Sequence, residues 1–128
     1  MTLLLDTQAL LWFLLDDARL SNNARSLMTD PANDLFVSPA SLWEIAIKIS
    51  LRKYTLPEGF AEFMERQIAE NHLTILPISV KHVAVVATLP FHHRDPFDRL
   101  LVAQAMSENV PVLSADRVFD LYPVTRTW

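Results

Sequence analysis

Four acidic residues, Asp6, Glu44, Asp98 and Asp116, stand where chemistry could be done. Asp6 ends the short apolar run Thr2–Leu5. Glu44 lies in the first or second turn of a helix that follows Leu35-Phe36-Val37. Asp98 sits in the first turn of a helix opened by Asp95-Pro96, and Asp116 comes shortly after the run Val110–Leu113. Brought to one edge of a sheet, such carboxylates repel one another and take up protons unless a cation neutralises them. Oxygen-only ligation favours hard cations, Mg²⁺ or Mn²⁺. Such ions keep several waters and bridge to phosphate, so the chemistry indicated is metal-assisted phosphodiester hydrolysis.

Each acid also has a purely structural use. Asp6 and Asp116 can cap helices, Asp98 can complete a capping box with Asp95, and Glu44 pairs with Lys48 at i,i+4. Two features favour a site for the set. Ser38 and Ser79 stand at other strand-to-helix junctions, so capping here does not require a carboxylate. The helix predicted from Ala40 to Lys53 is apolar over most of its circumference through Leu42, Trp43, Ile45, Ile47, Ile49 and Leu51. Its polar stripe is narrow, namely Ser41, Glu44, Lys48 and Arg52, and a mostly buried helix that keeps a carboxylate there is aiming it at something.

The elements that must position these acids follow from the pattern of the chain. Short unalternating apolar runs are predicted strands at Thr2–Leu5, Leu35–Val37, Leu73–Ile78 and Val110–Leu113, with a last one near Val124. Between them, helical spacing covers Thr7–Leu15, a short segment after Ser21, Ala40–Lys53, Pro57–Asn71, a Ser79-capped segment to Leu89, and Asp95–Glu108. Asn109 is a left-handed stop. Apolar strands separated by helices predict a three-layer α/β/α domain over 1–128 with a central, mainly parallel sheet of about four to five strands. In such sheets ligands bind beyond the carboxyl ends of the strands, where the four acids fall.

Composition narrows the alternatives. The chain has 128 residues, 51% hydrophobic and 20% charged, which suits one folded domain rather than a disordered chain. No cysteine means no disulfide framework, thiolate metal site or thiol nucleophile. The single glycine, Gly59, excludes glycine-rich phosphate loops. A net charge of −4 argues against holding nucleic acid mainly by charge neutralisation, though not against reaching it through bound cations. The apolar stretch Leu3–Leu15 is interrupted by Asp6 and far shorter than a membrane span, so the expected setting is cytoplasmic with no membrane partner. The four histidines show no zinc spacing and are read as structural or surface residues. Trp12, Trp43, Phe60, Phe63 and Trp128 are read as core.

Four segments together carry a family resemblance: Leu3-Leu4-Leu5-Asp6-Thr7, Ser41–Lys48, Leu89–Leu101 with Asp95-Pro96-Phe97-Asp98-Arg99 at its heart, and Leu113-Ser114-Ala115-Asp116. In order and spacing the chain resembles a PIN-domain ribonuclease of the VapC toxin family, the nuclease half of type II toxin–antitoxin pairs. The resemblance implies an endoribonuclease whose acidic quartet, Asp6, Glu44, Asp98 and Asp116, binds Mg²⁺ or Mn²⁺ and positions the attacking water. Asp6 and Asp98 are the expected direct ligands, with Ser114 and Thr7 supporting them. Lys48, Arg52 and Arg99 are expected to contact substrate phosphates. The implied partners are RNA, transfer RNA as the family-level guess, a VapB-type antitoxin and a second copy of the chain. The helices at Thr7–Leu15 and Pro57–Asn71 are the candidate surfaces. Relatives often carry glycine near Arg52 and Asn109, so the helix before Arg52 either continues or ends without a glycine stop. The alternative in the same fold is a catalytically silent RNA-binding or scaffold subunit. A phosphoaspartate phosphatase is disfavoured by Gln8, where a second aspartate belongs. A receiver domain is disfavoured by Pro77-Ile78-Ser79, which offers no phosphoacceptor.

Overall fold

The structure is a computed structural model describing residues 1–128. Five strands form one sheet: β1 (Thr2–Leu5), β2 (Asp34–Val37), β3 (Leu73–Ile75), β4 (Val112–Leu113) and β5 (Arg126–Thr127). Their order is β3-β2-β1-β4-β5, and every pairing is parallel. Six helices connect them: α1 (Thr7–Leu14), α2 (Asn22–Thr29), α3 (Pro39–Ser50), α4 (Phe60–Glu70), α5 (Val80–Val86) and α6 (Pro96–Glu108). A 3-10 turn over Arg117–Leu121 joins β4 to β5.

The central strand shows why the chain makes three layers. Leu3, Leu4 and Leu5 are all fully buried. Successive strand side chains point to opposite faces, so a run of leucines needs a core on both sides. Leu3 and Leu5 pack in one core with Leu10, Ile45 and Phe63, from α1, α3 and α4. Leu4 packs in the other with Leu101, Val102 and Phe119, from α6 and the 3-10 turn. The expected α/β/α architecture and its parallel sheet are therefore what the chain adopts. No helix is long and apolar enough to cross a membrane.

Some boundaries differ from those the sequence predicts. β3 ends at Ile75 rather than Ile78, though the Leu76 N–H still reaches the Val37 carbonyl at 2.9 Å. Pro77 has no N–H with which to extend the ladder. Helix α4, before β3, starts at Phe60, not Pro57, with Gly59 as its cap, and the last strand lies at Arg126–Thr127, just past Val124.

The helix through Glu44 stops at Ser50 instead of running to Lys53. Arg52 takes a left-handed conformation, φ 61°. Its N–H bonds the Ile49 carbonyl at 2.9 Å, and the Lys53 N–H bonds the Lys48 carbonyl at 2.8 Å. This is a Schellman closure with arginine at the position that glycine usually holds. Asp16, His72 and Asn109 are left-handed as well, so four helix ends turn without glycine, in keeping with a chain that has only one. A left-handed residue with a Cβ costs roughly 1–2 kcal/mol, least for asparagine or aspartate. Arg52→Gly is therefore expected to raise the free energy of unfolding by about 0.5–1 kcal/mol, net of glycine's greater unfolded-state entropy. Asn109→Gly should gain less. Urea denaturation of the two variants beside the wild type checks the order.

Candidate active site

The strand order reverses at the β1–β4 pair, since β2 and β3 lie to one side of β1 and β4 and β5 to the other. Beyond the carboxyl ends of strands at such a reversal the connections part and leave a crevice. Asp6 follows β1 immediately, and Ser114 follows β4. Asp6 is 5% exposed. Its Oδ1 accepts the Ala9 N–H at 2.7 Å, capping α1, and its Oδ2 accepts a short hydrogen bond from the Ser114 hydroxyl. The same Ser114 oxygen accepts the Asp116 N–H at 2.9 Å. Asp116 caps the 3-10 turn through the Val118 N–H at 3.0 Å. Capping and site membership are therefore not alternatives for Asp6 and Asp116, because each caps with one oxygen and turns the other inward.

Two further acids arrive on helices. Glu44 is buried on α3, and Asp98 stands in the first turn of α6, whose N-cap is Asp95. Asp95 accepts the Phe97 and Asp98 N–H groups, so Asp98 is not needed for the cap. Helix α3 packs against both α1 and α6, and Glu44 lies close enough for its charge to act on both Asp6 and Asp98. The electrostatics show how close the set lies. Burial pushes the Asp6 carboxyl up to about 6 against its bonds from Ser114 and Ala9, with the charges of Asp116 and Glu44 adding to the rise. Burial also pushes Asp98 up to about 7, helped by Asp95, Glu44 and Asp6 and opposed by His93. Two carboxyls raised towards neutrality, beside the acids Glu44 and Asp116, are what a hard divalent cation would relieve.

The sequence missed His93. It is 7% exposed, with Nε2 2.7 Å from Asp116 Oδ2 and 4.0 Å from Asp98 Oδ2. Ligand atoms of His93, Asp98 and Asp116 all lie within 4.8 Å of one another. The only signal was position, five residues before Asp98, because adjacent His92 has the same residue type and is exposed. Trp43 was also misread. It is not core but 64% exposed, and its ring meets Phe97 edge to face at 5.2 Å, beside Glu44 and Asp98.

The remaining candidates divide. Thr7 is buried, but its hydroxyl donates to Ser41 Oγ at 3.0 Å, fastening α1 to α3 rather than touching a carboxylate. Lys48 is partly exposed with its ammonium 3.2 Å from Glu44. Arg52 is exposed and lies past the end of α3, eight residues beyond Glu44. Arg99 corrects the expectation of a phosphate contact: it is 6% exposed and donates to the carbonyls of Val86, Leu89 and Pro90. Its guanidinium lies 3.9 Å from the centre of the Phe91 ring. The Val86 carbonyl ends α5 and those of Leu89 and Pro90 lie in the turn after it, and a planar five-donor cation satisfies them together.

The chain matches the PIN domain family over residues 3–124. Its fold is similar to a chain in the crystal structure of VapBC2 from Rickettsia felis bound to a DNA fragment from their promoter. The TM-score there is 0.75 at 19% identity, covering 100% of this chain and 99% of that one. A chain of FitAcB from Neisseria gonorrhoeae gives 0.65 at 18% identity, covering 98% and 96%. A chain of VapBC-1 from nontypeable Haemophilus influenzae gives 0.66 at 12% identity, covering 99% and 97%. No curated protein matches the chain by sequence.

The raised carboxyls set a pH dependence. Between about pH 4 and pH 7 the folded, metal-free chain binds more protons at Asp6 and Asp98 than the unfolded chain does, so its stability falls as pH rises through that window. A cation must displace those protons, so its affinity rises over the same window. Differential scanning fluorimetry should therefore show a larger Mn²⁺-induced rise in Tm at about pH 8 than at about pH 5, and Asp98→Asn should flatten the difference.

Proposed function

From the premise that the chain belongs to the PIN domain family, we propose that it is a Mg²⁺- or Mn²⁺-dependent endoribonuclease acting as the toxin of a toxin–antitoxin pair. One observation carries the reading: carboxylates from four separate elements gather at the strand-order reversal with two of them, Asp6 and Asp98, raised towards neutrality. Asp6 and Asp98 would hold the cation, with Glu44 and Asp116 completing its surroundings. When bound, the cation supplies charge neutralisation at the phosphate and a lowered pKa for water. The chain's own contribution is orientation. Ser114 aims Asp6 through its hydroxyl and keeps the Asp116 backbone against it. The Asp95 cap fixes the first turn of α6 and hence the place of Asp98.

An acidic chain still has to hold a polyanion. Lys48 keeps its charge: burial disfavours it, but the neighbouring Glu44 carboxylate and Tyr54 more than offset that, so its pKa lies above the ordinary lysine value. It supplies a phosphate contact beside the acids. Arg52 takes at most a peripheral contact at the far end of α3, and Arg99 none. The exposed Trp43 ring, steadied by Phe97, offers a face to an unpaired base, a contact worth about 1–3 kcal/mol in single-stranded recognition. The similar solved structures are those of VapBC2, FitAcB and VapBC-1, which supports a small antitoxin as partner. A homodimer, a cytoplasmic setting and transfer RNA as substrate belong to the same proposal.

The test is cleavage of structured RNAs by purified protein with Mg²⁺ or Mn²⁺ against chelator. Asp98→Asn is expected to lower kcat by at least about 100-fold, the scale of losing one group that stabilises charge at the reacting centre. Cleavage that survives chelation, or a fully active Asp98→Asn, overturns the mechanism. RNA bound but left intact by the wild type favours the silent scaffold. On the same RNA, Trp43→Ala and Lys48→Ala should each raise KM by about tenfold while leaving kcat within about threefold, because both act on binding rather than on the reacting centre.

A further inference from the structure

The ring of His93 is held on every side. Its backbone N–H donates to the Tyr122 hydroxyl at 2.8 Å, and the same hydroxyl lies 3.1 Å from Nδ1. The ring stacks parallel to Tyr122 with centroids 5.5 Å apart and packs against Phe119 at 4.8 Å. Tyr122 and Phe119 are buried members of the core that also holds Leu4 and Leu101. The imidazole is thus anchored in the fold rather than free in the loop before α6.

These contacts decide where its proton sits. The Tyr122 oxygen already accepts the His93 amide, so the hydroxyl proton is available to Nδ1. If Nδ1 instead carried the only ring proton, a bare Nε2 lone pair would face a carboxylate oxygen at 2.7 Å, which is repulsive. Nε2 therefore carries a proton and donates it to Asp116 Oδ2. With Oδ1 taken by the Val118 N–H, both oxygens of Asp116 are fixed, although its side chain is 39% exposed and its backbone lies outside the sheet.

We infer that His93 is a positioning residue of the site, holding the Asp116 carboxylate beside Asp98 through Nε2–H, with Tyr122 selecting that tautomer from behind. It acts through Asp116 and not on the substrate. His93 also ties the entry of α6, which carries Asp98, to the corner after β4, which carries Asp116, so one contact sets the spacing of two acids from distant parts of the chain. The inference rests on the cation-dependent reading above. Hydrogen-bonding partners that orient metal ligands typically cost 10–100-fold in affinity or activity when removed.

The test titrates Mn²⁺ calorimetrically into wild type, His93→Ala, His93→Gln and Asp98→Asn, with Tm recorded for each. His93→Gln keeps an N–H donor near Nε2 but offers no ring nitrogen to a metal. His93→Ala is expected to weaken Mn²⁺ binding by about 10–100-fold, and His93→Gln to recover it to within about threefold of wild type. A His93→Ala variant that binds as wild type overturns the inference, and so does His93→Gln as weak as His93→Ala, which would make the ring itself a ligand. Wild type that binds no better than Asp98→Asn overturns instead the cation-dependent reading beneath it. A readout independent of metal and of variant folding is the imidazole ¹⁵N spectrum of the metal-free wild type. It should show His93 protonated at Nε2, and an unprotonated Nε2 overturns the inference.

Discussion

Burying a carboxylate costs several kcal/mol unless hydrogen bonds or opposite charge compensate it. Asp6 imposes that cost at the end of the central strand of the sheet, and much of the molecule is arranged around it. It receives an N–H from its own helix and a hydroxyl from the end of the neighbouring strand. Those two donors do not suffice, since its pKa still rises to about 6. Part of the cost therefore remains uncompensated by the side chains around it. A cation fits that demand, because the neighbours Glu44, Asp98 and Asp116 add negative charge where a purely structural solution would place a base.

The contacts that build the fold and those that build the site are largely the same contacts. The Asp6 and Asp116 carboxylates cap their elements and face the crevice, and Ser114 joins them. Arg126 donates to the Ser114 carbonyl at 3.0 Å while pairing with Asp120, holding the end of β4 from the side away from the acids. Thr7 and Ser41 fasten α1 to α3, so Glu44 cannot shift without disturbing the first turn after Asp6. Arg99, next to Asp98 in sequence, ties the end of α5 and the turn after it to α6. Such sharing gives a small domain little freedom to lose one function and keep the other.

Much of this was legible in the chain. The leucine run before Asp6 specifies a strand buried on both faces, and helices between such strands imply parallel pairing, so the α/β/α layering followed from local pattern alone. The four acids were legible because strand ends and helix starts can be located from apolar runs, caps and prolines. The end of α3 was less so. A Schellman closure with arginine in place of glycine has no compositional signature, and only its hydrogen bonds reveal it.

By itself, then, the chain determined its layers, its parallel sheet and the acids at one edge, since these depend on periodicity and on residues within a few positions of one another. Tertiary structure alone decided which side chains close on those acids. His93 and its exposed neighbour His92 are equivalent as residues and both meet the Tyr122 ring, and only the Phe119 contact and the hydrogen bonds to Tyr122 and Asp116 distinguish His93. Arg99 and Lys48 are both cations near an acid in sequence, yet one is spent on helix carbonyls and the other faces Glu44. Trp43 has the composition of a core residue and lies at the surface. For His93 and Trp43 the contacts that set them apart come from elements remote in sequence, whereas Lys48 pairs within its own helix. No local pattern encodes whether a long side chain will find its partner across the fold or remain in solvent.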